Sequence, residues 1–256
     1  MLTNTEIKRI GSLAQKKYRR QYNQFVIEGS RLMKAAVAAE LKFDALYLTE
    51  HFQNSPENQS LIAGLKTAKY IWEPVSENQA KKMSDTVSPS GILALCPLPA
   101  PRPLTPETFP KGHWLYLDGL ADPGNLGTLL RTAAWFGVIN IGLSPDCVDA
   151  FNLKVVRGGM GAHFTLNLFP DVTLQELKSS SRILLGADMS GVPLNKIKKT
   201  QITDWVLVLG GEAHGLSKET RELIDRFISI PKPGIGESLN AAVAGGILLE
   251  ILTAPS

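Results

Sequence analysis

The sequence predicts an α/β protein of two domains, on three observations. Short apolar runs alternate with segments of helical period, a proline-rich stretch interrupts the chain near residue 100, and the alternation then resumes. A length of 256 residues gives a prior of one or two domains and is enough to bury a sizeable core. With 44% hydrophobic and 20% charged residues, disordered, collagen-like and small disulfide-stapled classes are excluded. The longest apolar stretch, Ala241 to Leu249, is too short to span a bilayer, so no membrane role is expected. Cys96 and Cys147 lack metal-like spacing and the four histidines are scattered, so no metal is expected either. The N-terminus, MLTNTEIKRI, has no signal-like apolar region, and a cytoplasmic location is the expectation.

The elements follow in order. Residues 1–24 carry six cations (Lys8, Arg9, Lys16, Lys17, Arg19 and Arg20) against Glu6, a local charge of +5. The total is +3, so the other 232 residues sum to −2. This basic start reads as an N-terminal helix, either a solvated face or a phosphate-contacting patch. Phe25 to Glu28 predicts a strand, and Ser30 an N-cap for a helix through Ala39. Ala45 to Leu48, Tyr70 to Trp72 and Ile92 to Leu95 predict further strands, with helices near 57–68 and 76–83. Six of sixteen prolines then fall between Pro97 and Pro110, and such a run reads as a stiff linker. The expected division is a first domain over 1–97, a linker over 98–111 and a second domain over 112–256. In the second domain, strands are expected at Trp114–Leu117, Val138–Gly142, Ile183–Ala187, Trp205–Leu209 and Phe227–Ile230. Continuous apolar strands alternating with helices indicate a mostly parallel sheet covered on both faces, with ligands beyond the strands' carboxyl ends.

Three loops stand at such ends. In DGLADPGNLGTLLRTAAWFG (118–137), Leu126, Leu129, Leu130, Ala133 and Ala134 form a buried helix face, which leaves Asn125 and Arg131 pointing away from it. Taken singly, Asn125 reads as an N-cap and Arg131 as a surface cation; together they could address phosphate or developing negative charge. LVLGGEAHGLS (207–217) runs a strand into Gly210 and Gly211 with Glu212 after the turn, and it is neither a Rossmann nor a P-loop fingerprint. In ISIPKPGIGESLNAAVAGGILLEIL (228–252) a polar turn containing Ser238 and Asn240, each of which taken singly reads as a capping residue, opens a helix rich in small residues, suited to close packing. GESLN also fails the nucleophile-elbow pattern.

In this order the three segments resemble the SpoU/TrmH class of SPOUT RNA 2′-O-methyltransferases. DPGNLGTLLRTAAWFGV matches the first motif, LVLGGEAHGLS the second and the C-terminal segment the third, over residues 113–252. KKYRRQYNQFVIEGSRLM is similar to the start of the substrate-binding domain fused to many members, a fold like that of certain RNA-binding ribosomal proteins. The resemblance implies a ribosomal-protein-like α/β RNA-binding domain, followed by a parallel-sheet SPOUT domain closed by a trefoil knot. It also implies a homodimer using S-adenosylmethionine, similar to enzymes that methylate guanosine riboses of 23S rRNA. Ribosomal RNA is favoured because of the fused domain; a tRNA substrate and a non-catalytic ribosome-assembly factor are the alternatives.

The resemblance also implies residue roles. Leu209, Gly210, Gly211, Ile230 and Leu239 would hold the cofactor. Arg131 would be the key catalytic residue: a guanidinium is a poor base, and it serves better as a clamp on phosphate and on the 2′-oxygen. Asn125 would orient the ribose or Arg131, Glu212 would anchor Arg131 or contact the cofactor, and Ser238 and Asn240 would shape the pocket. Arg19 and Arg31 match arginines of the family's substrate domain. Lys16 and Lys17 extend that patch, and Arg157 fits a further family stretch, KVVRGGMGAHF.

Overall fold

A computed structural model describes residues 2–105, 109–178, 182–197 and 204–254. Residues 106–108 of the expected linker fall outside these. Contacts divide the chain into two compact units, Met1–Ala100 with Phe151–Phe164, and Pro101–Ala150 with Thr165–Ser256.

The first unit opens with two helices, α1 (Asn4–Ser12) and α2 (Lys16–Tyr22), where the sequence suggested one. The break has a visible cause. The Arg19 guanidinium is buried and its Nη1 donates to the carbonyls of Leu13 and Ala14, at 2.7 and 2.8 Å. It thereby satisfies acceptors that the end of α1 leaves without helical partners. Strand β1 (Gln24–Glu28) follows, then α3 (Ser30–Ala38), β2 (Ala45–Thr49), α4 (Glu50–Asn54), α5 (Gln59–Thr67), β3 (Glu73–Val75), α6 (Glu77–Met83) and β4 (Ile92–Pro97). Gly29, at φ 100°, is the N-cap of α3; Ser30 is already inside the helix, one residue beyond its expected place. The strand expected at Tyr70–Trp72 lies at Glu73–Val75 instead. Tyr70 closes α5, its amide bonded to the Leu65 carbonyl, its ring stacked on Phe43 at 4.6 Å and its hydroxyl donating to the Leu41 carbonyl.

These strands form a sheet in the order β1-β4-β2-β3, antiparallel except for the β2–β3 pair. Ile7, Ile10 and Leu13 from the N-terminal segment pack with Val26, Tyr47, Leu93, Leu95 and Met83 on one face of it. Later in the chain, α8 (Leu153–Gly159) also belongs to this unit. Leu153 joins the same core, Phe151 packs on Phe25 at 4.9 Å, and the Arg157 Nη1 pairs with Asp85 Oδ1 at 2.5 Å. The segment 151–164, which the expected division keeps with 112–256, therefore packs on the N-terminal sheet.

The second unit contains β5 (Trp114–Asp118), α7 (Pro123–Trp135), β6 (Asn140–Leu143), β7 (Asn167–Phe169), α9 (Leu174–Leu177), β8 (Ile183–Pro193), β9 (Trp205–Gly210), α10 (Lys218–Leu223), β10 (Arg226–Ser229) and α11 (Ala241–Thr253). All five pairings in the sheet β10-β8-β9-β5-β6-β7 are parallel. The expected strand at 138–142 begins two residues later, because the Val138 amide still bonds back to Ala133 at the end of α7. From β5 the chain runs outward through β6 and β7, then crosses to β8 and β9 on the other side. The β5/β9 boundary is therefore the point where strand order reverses, the place where open parallel sheets build ligand sites.

Candidate active site

The loops leaving β5 and β9 are stitched together at that reversal. Asp118, the last residue of β5, accepts the Gly211 amide on its carbonyl at 2.8 Å and the Ser217 amide on its buried carboxylate at 2.7 Å. From the side of β6, Ser144 Oγ accepts the Gly119 amide, and the Cys147 thiol donates to the Leu117 carbonyl while accepting from the Leu120 amide. Burial pushes the Cys147 thiol up, so it stays protonated and serves as scaffold. The sequence marks Cys147 only as a cysteine without metal-like spacing and does not mark Ser144; no pattern there ties either to a loop 25 or more residues earlier.

Helix α7 starts at this loop with Asp122 as N-cap, its Oδ1 accepting the Asn125 amide at 2.7 Å, and with Pro123 at the first helical position. Asp-Pro is a legible start signal, and it moves the cap from Asn125 to Asp122. The Asn125 side chain is thereby released for other work. Its Nδ2 donates to Glu212 Oε1 at 2.5 Å and its Oδ1 accepts Asn240 Nδ2 at 2.8 Å. Asn240 Oδ1 in turn caps α11 by accepting the amides of Ala242 and Val243. One continuous hydrogen-bonded run, Glu212–Asn125–Asn240, thus joins the three sequence motifs.

The two helices extend side by side from this junction. A Cβ on Gly245 would press on the terminal methyls of Leu129 and Leu209, which would have to shift, so glycine lets α11 lie this close to α7 and β9 without displacing them. Arg131 is exposed on α7, six residues beyond Asn125, or about 9 Å along the axis. It makes no hydrogen bond or ion pair with any described residue, so Glu212 is engaged with Asn125 rather than Arg131. Ser238 is exposed and its hydroxyl does not enter the run.

Of the five expected cofactor positions, Leu209, Gly210 and Gly211 lie at the end of β9 beside β5, Leu239 adjoins Asn240 ahead of α11, and Ile230 follows β10, two strands from β9. Leu209 is buried, and Leu209 and Gly210 pair with Leu117 and Asp118 across the sheet. Gly210 abuts the Gly215 backbone so closely that no side chain fits. Gly211 has its amide bonded to Asp118 and its carbonyl to Gly215, so it contributes space and turn geometry rather than ligand hydrogen bonds. Ile230 and Leu239 bracket residues 231–238, which are all exposed, and their own backbone groups make no backbone hydrogen bond among the described residues. Unpaired backbone amides and carbonyls at Ile230 and Leu239 suit an adenosine-bearing ligand, whose base edge is read by backbone groups. The residues present fit S-adenosylmethionine in this respect.

The model of the SpoU rRNA methylase family matches residues 112–250, which span the whole of this site. The chain belongs to that family. A second model, the MRM3-like substrate-binding domain, matches residues 4–94. An uncharacterised tRNA/rRNA methyltransferase of Synechocystis is 33% identical, over 96% of the chain and 89% of the relative. The 23S rRNA (guanosine(2553)-2′-O)-methyltransferase RlmP of Bacillus subtilis is 29% identical, over 96% and 95% respectively. Among solved structures, an AdoMet-bound rRNA methyltransferase from Sinorhizobium meliloti superposes with a TM-score of 0.82 at 27% identity, covering 98% of the chain and 95% of that structure.

Within this SpoU methylase the cations expected to meet RNA, all in the first unit, differ in state. Lys17 and Arg31 are exposed, and Lys16 is half-buried. Arg19 is 2% exposed and committed to carbonyls, which removes it from the phosphate-contacting set. Arg157 is paired with Asp85, so phosphate would have to compete for it.

Proposed function

We propose that this SpoU methylase transfers a methyl group from S-adenosylmethionine to a ribose 2′-hydroxyl of ribosomal RNA. The observation that carries the reading is the Glu212–Asn125–Asn240 run, which locks the three motif loops together at the point of strand reversal, with a free cation on the same helix. The relatives named for rRNA methylation and the AdoMet-bound structure support the substrate and cofactor.

Backbone groups at Leu209, Gly210, Ile230 and Leu239 would hold the cofactor, with Gly211 keeping the turn open. Bound there, it would supply a sulfonium-activated methyl carbon for the 2′-oxygen, the electron pair of the broken carbon–sulfur bond staying with the departing S-adenosylhomocysteine and the hydroxyl proton passing to solvent. With so good a leaving group the protein chiefly has to align the reactants and stabilise charge. Arg131 would clamp the neighbouring phosphate and stabilise the incipient alkoxide, since a guanidinium stays charged at neutral pH. Asn125 is held by two partners and ties the first turn of α7, the helix that carries Arg131, to the loops of Glu212 and Asn240. Ser238 would line the pocket from the exposed loop.

The reading includes a cytoplasmic homodimer and a knotted C-terminal segment. Support for the dimer comes from Trp135 on α7, 85% exposed, and from Val243 on α11 and Leu239 before it, each about half exposed. Lys16, Lys17 and Arg31 would contact RNA phosphates, which position a substrate without reading its sequence. The test is transfer of labelled methyl to large-subunit ribosomal RNA, followed by complete digestion to nucleosides. Label in a 2′-O-methyl nucleoside is the expected result; label confined to methylated bases, or none with cofactor-binding protein, overturns the proposal.

A further inference from the structure

The N-terminal helices carry two aromatic rings that the mechanism does not use, set among cations of which it uses Lys17. In α2, Tyr18 and Tyr22 lie one turn apart with ring centroids at 6.3 Å and planes only 14° from parallel. The Arg9 guanidinium sits 5.4 Å from the centre of the Tyr22 ring, and Lys17 Nζ lies 5.7 Å from that of Tyr18. The array is built rather than incidental. Arg9 Nη1 donates to Gln24 Oε1 at 2.7 Å, Gln24 is tethered to Asp44 at 2.6 Å, and buried Arg19 props α2 from beneath. Both tyrosines are half-buried, and neither hydroxyl has a hydrogen-bond partner among the described residues. By contrast the hydroxyls of Tyr70 and Tyr116 are spent on the carbonyls of Leu41 and Val172. No acid occurs in residues 7–27.

We propose that Tyr18 is a base-stacking contact for single-stranded RNA, with Tyr22 backing its ring and Lys17 and Arg9 taking the flanking phosphates. The inference rests on the RNA substrate proposed above. Two near-parallel rings in tandem, each with a cation beside it, put aromatic surface next to positive charge, the pairing that a base and its flanking phosphate require. A purely electrostatic patch would need the cations alone. The ring stack adds an interaction that every base can satisfy, so this surface grips RNA without selecting sequence.

The test is fluorescence anisotropy of the full-length protein with a mixed-sequence single-stranded RNA of about twenty nucleotides. Tyr18→Ala is expected to weaken binding roughly tenfold while Tyr18→Phe binds like the wild type. Lys17→Ala is expected to reduce the slope of log affinity against log salt by about 0.7, one phosphate contact on a single strand. Wild-type affinity in Tyr18→Ala, or equal losses in the Phe and Ala variants, overturns the stacking role. Should Tyr18→Ala not fold, the exposed Lys17 decides, and an unchanged salt slope overturns the proposal. Methyl transfer by the wild-type protein is read separately, so failure of the array and failure of the enzymatic reading are distinguishable.

Discussion

At the scale of single residues, the site depends on what Asn125 is not doing. Because Asp122 caps α7, the Asn125 amide can face Glu212 with its nitrogen and Asn240 with its oxygen. Asn125→Asp would set a second carboxylate against Glu212 and is expected to lower kcat about tenfold to a hundredfold, through a like-charge contact worth ~1.4–3 kcal/mol. Adding Glu212→Gln restores a donor to the pair and should recover part of the loss; a double variant as poor as the single one would mean that the contact does not matter. Arg19 illustrates the opposite case, a cation that serves the fold. Arg19→Met leaves the carbonyls of Leu13 and Ala14 without donors and is expected to cost about 2–4 kcal/mol in denaturant unfolding. RNA affinity of the folded fraction should be unchanged.

At the scale of elements, α7 and α11 meet through a contact in which any side chain at residue 245 must displace the methyls of Leu129 and Leu209. Gly245→Val forces Leu129 and Leu209 apart and is expected to destabilise by about 1–3 kcal/mol, whereas exposed Val243→Ala should be near neutral in the same unfolding measurement. The parallel sheet, the small-residue helix and the Asn240 cap were legible in the sequence, because apolar strands, a run of Ala and Gly, and an Asn before them each carry a local physical signature. The Tyr70–Trp72 segment misled because aromatic residues favour strands, whereas here tertiary stacking on Phe43 ends a helix. Neither the docking of α8 on the N-terminal sheet nor the burial of Arg19 has a local signature. Both are settled by contacts, Phe151 on Phe25 and a guanidinium on two carbonyls, that spacing alone does not encode.

At the scale of the whole molecule, the chain passes between its two compact units three times, at residues 100/101, 150/151 and 164/165. A linker of one proline-rich segment is therefore not the only covalent tie. The exposed apolar residues of the second unit bear on assembly. With a subunit mass of 27.8 kDa, the wild type is expected to sediment as a species of twice that mass. Trp135→Asp is expected to sediment as a monomer with reduced methyl transfer, and a wild-type monomer that is fully active would remove the dimer from the account. The catalytic claim is tested most directly by single-turnover methyl transfer to a large-subunit rRNA transcript, comparing wild type with Arg131→Ala at saturating cofactor. The expected result is a rate lower by ~10²–10³ in the variant with cofactor affinity unchanged. Equal rates would contradict the assignment of Arg131 and, with it, the placement of the reaction at this junction of α7, β9 and α11.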